Sequence, residues 1–145
     1  MNETYFRWEP VPDVSAPCAD IVLHADPGDV TVRLRFSQMR DAAPRDLLVR
    51  FGREVAACMS HDEFLHPWQA DETAGEVPRL GGAWGRYAHP LLLVHGSRWL
   101  ASFSDGQLVD YQHLTLTHYR FVSLDNTVDV LATGDATAEW VPPAP

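Results

Sequence analysis

The segment that most constrains the fold is residues 118–132, which read HYRFVSLDNTVDVLA. Asp125 and Asn126 stand between two runs that alternate between apolar and polar residues, and both tolerate the backbone of a tight turn. A two-residue turn at this point pairs residues from its two sides: Leu124 with Thr127, Ser123 with Val128, Phe121 with Val130 and Tyr119 with Ala132. Side chains alternate along a strand, so the apolar members of these pairs share one face.

The opposite face of this predicted hairpin is mostly polar. It carries His118, Arg120, Val122, Asp129 and Thr133. Arg120 and Asp129 lie diagonally across from each other, and oppositely charged neighbours on one face stabilise a sheet by a few tenths of a kcal/mol up to roughly 1 kcal/mol. The polar character of this face predicts a surface position for His118.

A second hairpin is predicted over residues 20–36. Residues 20–25 and 30–36 flank the turn sequence Asp-Pro-Gly-Asp at 26–29. Pairing Ala25 with Val30 places Asp20 opposite Arg35. It also collects the apolar residues on one face, namely Ile21, Leu23, Ala25, Val30, Val32 and Leu34.

Residues 45–61 fit two structures. A hairpin around Gly52 and Arg53 uses the glycine in a turn, whereas a glycine inside a helix costs about 1 kcal/mol relative to alanine. The hairpin is therefore favoured. The alternative is a helix over 44–59 packed on the sheet, because its apolar residues also recur at helical spacing. Further along, residues 91–95 and 137–141 are predicted strands, and Ser97 is placed to cap a short helix near 97–104.

These elements predict an α+β fold that is predominantly antiparallel β, a meander of hairpins forming a sandwich or half-barrel with one short helix. The length favours a single domain over 1–145. Within it we expect an irregular N-terminal arm at 1–18, a long loop at 62–90 and a frayed tail at 142–145.

Charge and composition exclude several functional classes. The chain has a net charge of −9, which disfavours binding to nucleic acids and anionic membranes and attracts basic partners. All 11 basic residues are arginine, so reactions that need a lysine, such as those of Walker A or Schiff-base enzymes, are excluded. No signal peptide or membrane-spanning run is visible, which favours the cytoplasm. No cofactor is expected.

The densest group of potential metal ligands is His61, Glu63 and His66. The two histidines are five residues apart, so they are rotated by about 140° on a helix and face opposite sides on a strand. They could share a metal only across a turn, with further ligands from histidines elsewhere, drawn from His89, His95 and His113. The alternative is an exposed polar segment whose imidazoles form local hydrogen bonds.

A glycine-rich segment at 81–87 is the predicted binding loop. Trp84, Arg86 and Tyr87 are residue types enriched at binding hot spots, and the glycines give the backbone freedom. His118 and Arg120, on the polar hairpin face, are the other predicted binding residues. No catalytic residue is identified, because Ser97 is better explained as a helix cap and Cys58 lies in an apolar setting.

The run PLLLVHGSRWLASF from residue 90, the hairpin segment and the pair Glu139-Trp140 resemble the C-terminal half of a group of small bacterial proteins without assigned function. Some of these proteins lie in toxin–immunity gene neighbourhoods. The resemblance covers residues 90–140 and implies no functional residues.

Together these observations favour a non-catalytic protein-binding module, of which an immunity or inhibitor role is one form. The alternative is a metal-dependent enzyme or ligand-binding protein that uses residues 61–66 and the 81–87 loop. A homodimer that pairs through a strand edge is a third interpretation.

Overall fold

The computed structural model describes residues 3–36, 43–52, 54–62 and 77–145. Across these ranges the chain forms nine strands, all paired antiparallel, and one short α-helix. The strands are β1 (Thr4–Arg7), β2 (Asp20–Asp26), β3 (Asp29–Phe36), β4 (Arg45–Arg50), β5 (Val55–Asp62), β6 (Leu91–His95), β7 (Thr117–Val122), β8 (Asn126–Ala132) and β9 (Thr137–Val141). The helix, α1, is Arg98–Ala101.

The strands form two sheets that enclose the apolar core. One sheet has the order β1-β6-β7-β8-β5 and the other has the order β2-β3-β4-β9. Buried side chains from both sheets pack together, among them Leu34, Val49, Phe121 and Val130. This two-layer arrangement confirms the predicted class, an antiparallel β-rich fold with a single short helix.

The hairpin of β2 and β3 has the predicted register. Ala25 pairs with Val30, and Asp20 lies opposite Arg35, with 3.3 Å between carboxylate and guanidinium. The Asp-Pro-Gly-Asp turn is responsible, because Gly28 adopts the left-handed conformation with φ 75°. Here the local turn residues were enough to determine the pairing.

The β7–β8 hairpin has its predicted faces but not its predicted register. Tyr119 pairs with Val130 and Phe121 with Val128, a shift of two residues from the predicted pairs. The loop is wider because the Ser123 hydroxyl accepts hydrogen bonds from the amides of Asp125 (3.2 Å) and Asn126 (2.9 Å). A shift of two residues preserves the side-chain alternation, so the apolar face remains on the core.

The predicted hairpin around Gly52 and Arg53 is wrong, although both of its strands exist. β4 pairs with β3 and β9, whereas β5 crosses to the other sheet and pairs with β8. Gly52 has φ 68° at this crossing. Phe51 then packs against Tyr119 of the opposite sheet, with ring centroids 5.1 Å apart. The alternative helix at 44–59 is excluded by the two strands.

The short elements are partly as expected. Ser97 caps α1, since its hydroxyl accepts a hydrogen bond from the Leu100 amide at 3.0 Å. The arm predicted to be irregular contains β1, which is too short to show periodicity. The tail predicted to fray makes two hydrogen bonds, from Arg33 to the Pro142 carbonyl and from the Ala144 amide to Asp46. None of the described helices is long and apolar enough to cross a membrane.

Truncating Phe121 to alanine is expected to destabilise the protein by about 3–5 kcal/mol, because the ring is fully buried between the two sheets. The measurement is equilibrium urea unfolding. Val22→Ala, at an exposed position on β2, is the control and should cost no more than about 1 kcal/mol. Equal losses for the two variants would contradict the packing described here.

Candidate functional site

The polar face of the β7–β8 hairpin is buried. His118 is 2% exposed, Arg120 is 4% exposed and Asp129 is 0% exposed. The Trp99 ring of α1 packs against the His118 ring, with centroids 5.3 Å apart. The predicted surface position of His118 is therefore wrong. The sequence did not indicate that α1 packs against this face of the hairpin.

The Asp129 carboxylate is the centre of this buried face. Oδ1 accepts hydrogen bonds from His118 Nε2 at 2.5 Å and from Arg120 Nε at 2.9 Å. Oδ2 lies 2.9 Å from His61 Nε2 on the neighbouring strand. A carboxylate buried without water needs such donors, because an unpaired charge in a protein interior is very costly. The expected contact between Arg120 and Asp129 is present, though the two residues lie directly opposite each other.

The network continues from Arg120 to the N-terminal strand. Arg120 Nη1 points to the Tyr5 hydroxyl at 3.4 Å, and that hydroxyl donates to Glu3 at 2.9 Å. The second oxygen of Glu3 accepts the backbone amide of Arg98 at 2.8 Å. Glu3 thus closes a chain of polar contacts between β1, β7 and the start of α1.

Ser97, His118 and Asp129 have the hydrogen-bond order of a serine hydrolase. Ser97 Oγ lies 2.7 Å from His118 Nδ1, and the other ring nitrogen contacts Asp129. A hydrolase also needs backbone amides aimed at the developing oxyanion. The amide following the serine, that of Arg98, is already bonded to Glu3. Ser97 is 8% exposed, and its hydroxyl caps α1.

Residues 77–89 form a small hairpin, which we call the arginine hairpin. Backbone hydrogen bonds join its two sides, from Leu80 N to Tyr87 O at 3.0 Å and from His89 N to Pro78 O at 2.8 Å. Gly82, with φ 60°, forms part of its tip. This segment is ordered by its own backbone bonds rather than being an open connector.

The arginine hairpin is attached to the five-stranded sheet. Arg7 of β1 donates a 2.6 Å hydrogen bond to the Arg79 carbonyl. The buried His89 ring contacts the Leu91 backbone at the start of β6, with Nδ1 2.8 Å from the carbonyl oxygen. Burial lowers the pKa of His89, which favours its neutral form. Both ends of the hairpin are thereby held against the sheet.

A pocket of about 210 Å³ lies between the arginine hairpin and the sheet, and we call it the arginine pocket. Three arginines line it, namely Arg79, Arg86 and Arg120. The described lining includes no acidic residue and is completed by Tyr5, Val77, Ala88, Leu92 and Val122. Three cations beside apolar walls make a site suited to an anionic group.

The arginines differ in how they are held. Arg120 is buried and oriented by Asp129, whereas Arg79 and Arg86 are exposed. Among the residues that the structure describes, neither the Arg79 nor the Arg86 guanidinium has a hydrogen-bond or ion-pair partner. The pocket therefore combines a fixed charge with two charges available to a ligand.

The predicted binding residues are partly brought together. Arg86 and Arg120 line the same pocket, whereas Trp84 and Tyr87 contact each other with tilted rings 5.7 Å apart and do not line it. His118 packs against Trp99 and does not line this pocket either. Sequence reasoning missed Arg79 and Tyr5, because only the fold of the arginine hairpin and the pairing of β1 bring them here.

The predicted metal site can be followed only at His61, since Glu63 and His66 lie outside the described residues. Both ring nitrogens of His61 are engaged, Nδ1 with the Asp62 carbonyl and Nε2 with Asp129, each at 2.9 Å. The described residues do contain another group with ligand atoms within 4.8 Å of one another, formed by His24, Asp26 and Asp29. All three are exposed on the β2–β3 turn, and we assign no metal to them.

The contact with Asp129 predicts a pH dependence of stability. Hydrogen bonding to this carboxylate raises the pKa of His61 above its usual 6.5, although partial burial opposes the shift. The raised pKa means that the protonated ring stabilises the fold fully below pH 6.5 and that this contribution is lost as the pH rises through the folded-state pKa. The difference in unfolding free energy between wild type and His61→Gln should therefore shrink over that range. Urea unfolding at a series of pH values measures it, and a difference that grows with pH would contradict the contact.

Ser97 is expected not to react with a fluorophosphonate probe, because its neighbouring amide is held by Glu3 and its side chain is buried. Intact-protein mass spectrometry measures the adduct, and a serine hydrolase treated in parallel serves as the control. An adduct that disappears in Ser97→Ala would show that Ser97 is a nucleophile.

No protein-family model matches the chain, and no match was found among curated proteins or among solved structures. The candidate site is therefore described by the contacts of its side chains. One buried carboxylate bonds two imidazoles and the Arg120 guanidinium, and Arg120 lines a pocket together with two exposed arginines.

Proposed function

We propose that this chain is a non-catalytic binding module that engages a protein partner by taking one acidic group of that partner into the arginine pocket. The observation that carries the proposal is the meeting of Arg79, Arg86 and Arg120 at one pocket. Guanidinium groups bind carboxylates through paired, charge-assisted hydrogen bonds. An acidic side chain or a C-terminal carboxylate is the matching group.

The net charge of the whole chain restricts the kind of partner that can bind. A net charge of −9 repels acidic tracts, and it attracts a partner whose surface is otherwise basic. The pocket itself concentrates positive charge in an acidic molecule. The partner therefore presents a single anionic group rather than a run of them, and the surrounding field discriminates against polyanions such as nucleic acids.

The proposal that the chain is non-catalytic rests on the hydrogen-bond partners of its buried polar groups. Asp129, His118 and Ser97 are bonded to one another in the interior, and Glu3 holds the amide that hydrolysis would require. These groups orient Arg120 at the pocket wall. An immunity or inhibitor role, in which the pocket captures an acidic residue of a toxin or enzyme, is one form of this function.

The test uses a rhodamine-labelled peptide Gly-Ser-Glu-Ser-Ser-Gly and its glutamine counterpart, both amidated at the C-terminus so that the glutamate supplies the only carboxylate of the peptide chain. The protein should bind the glutamate peptide, and Arg86→Gln should weaken binding about tenfold, since a charge-assisted hydrogen bond is worth roughly 1.5 kcal/mol or more. Fluorescence anisotropy measures both. Raising the salt from about 0.05 M to about 0.3 M should weaken binding, because exposed guanidinium groups are screened.

Arg50→Gln is the matched control. Arg50 is an exposed arginine on β4 of the four-stranded sheet, and it does not line the arginine pocket. Its Nη2 lies 3.9 Å from Glu139 Oε1. The Arg50→Gln substitution removes one positive charge from the surface, as Arg86→Gln does, and it should leave the affinity for the glutamate peptide unchanged. Equal binding of the glutamate and glutamine peptides, or equal losses in the two variants, would refute the proposal.

A further inference from the structure

A second pocket, of about 200 Å³, adjoins the arginine pocket. Arg86, Ala88 and Val122 line both. The other residues that line the second pocket are Pro17, Cys18, Tyr87, Ser123 and Leu124. Because the two pockets share walls from the arginine hairpin and from β7, a ligand lying across Ala88 and Val122 reaches both.

The second pocket is largely apolar. Pro17, Tyr87 and Leu124 contribute carbon surface, and burial raises the pKa of the Cys18 thiol to about 12, which keeps it neutral. Leu124 is 49% exposed although its backbone is held by a hydrogen bond from its amide to the Cys18 carbonyl at 3.0 Å. A fixed backbone with a solvent-exposed leucine at a pocket edge offers surface that a ligand can cover.

We infer that the two pockets together bind a short extended segment of a partner protein that carries an acidic residue followed closely by an apolar residue. The acidic side chain lies among Arg79, Arg86 and Arg120, and the apolar side chain covers Leu124 in the second pocket. This inference rests on the proposed function and adds the apolar residue to it. Charge complementarity decides which pocket takes the acidic side chain, since only the first pocket is lined by three arginines.

An extended segment suits this shape because its side chains alternate. Residues i and i+2 point the same way and lie about 7 Å apart, which allows two neighbouring pockets to be filled from one strand. A ligand of this kind gains orientation from the carboxylate and affinity from the apolar contact.

The experiment compares rhodamine-labelled peptides that all contain Gly-Ser-Glu and differ in one later position. One series places leucine one, two, three or four residues after the glutamate, and the reference peptide has serine at all of those positions. At least one leucine peptide should bind wild-type protein about tenfold more tightly than the reference, which is the factor expected for covering part of a leucine side chain. Anisotropy titrations measure each affinity.

Two protein variants test whether the higher affinity of the leucine peptide depends on the second pocket. Leu124→Ser should abolish the advantage of the leucine peptide while leaving binding of the reference peptide intact. Leu114→Ser is the matched control, since Leu114 is equally exposed, at 47%, and lines neither pocket. The advantage should persist in that variant.

The outcomes separate this inference from the proposed function. If the reference peptide binds in an Arg86-dependent way and no leucine position improves it, the inference fails and the proposed function stands. If no glutamate peptide binds, both fail. A leucine advantage that survives Leu124→Ser, or that is lost equally in Leu114→Ser, also overturns the inference.

Discussion

The buried carboxylate of Asp129 is the interaction on which the five-stranded sheet depends. A charged group in the interior must be matched by donors, and here the donors come from different strands: His61 from β5, and His118 and Arg120 from β7. Through His118 and Ser97 the same network reaches the end of β6 and the cap of α1. Removing the carboxylate would leave Arg120 buried without its counter-charge. The loss of one partner of a buried ion pair typically lowers the free energy of unfolding by several kcal/mol.

This constraint also shapes the arginine pocket, where we propose that a ligand binds. Asp129 holds the Nε of Arg120, so Arg120 would lose little conformational freedom on binding the ligand that we propose. The exposed Arg79 and Arg86 of the arginine hairpin add two further positive charges beside it. In the function that we propose, one buried cation and two exposed cations would together recognise a single anionic group.

Much of the fold could be predicted locally. The Asp-Pro-Gly-Asp turn determined the register of β2 and β3, and Ser97 was identifiable as a cap from its position before the helix. The β7–β8 register could not be predicted, because Asn126 is a residue type typical of turns and yet is the first residue of β8. Its side chain instead bonds to the Ile21 backbone of β2, with distances of 3.0 and 2.9 Å. No local pattern reveals a contact between residues that are 105 positions apart.

What the sequence by itself determined is which residues alternate, and therefore which faces each strand offers, because side-chain direction follows from the backbone alone. Only the tertiary structure decided that β4 and β5 belong to different sheets and that the polar face of β7 and β8 is buried. It also brought Arg79, Arg86 and Arg120 to one pocket. These outcomes depend on which surfaces cover one another, and that is settled by packing between segments far apart in the chain.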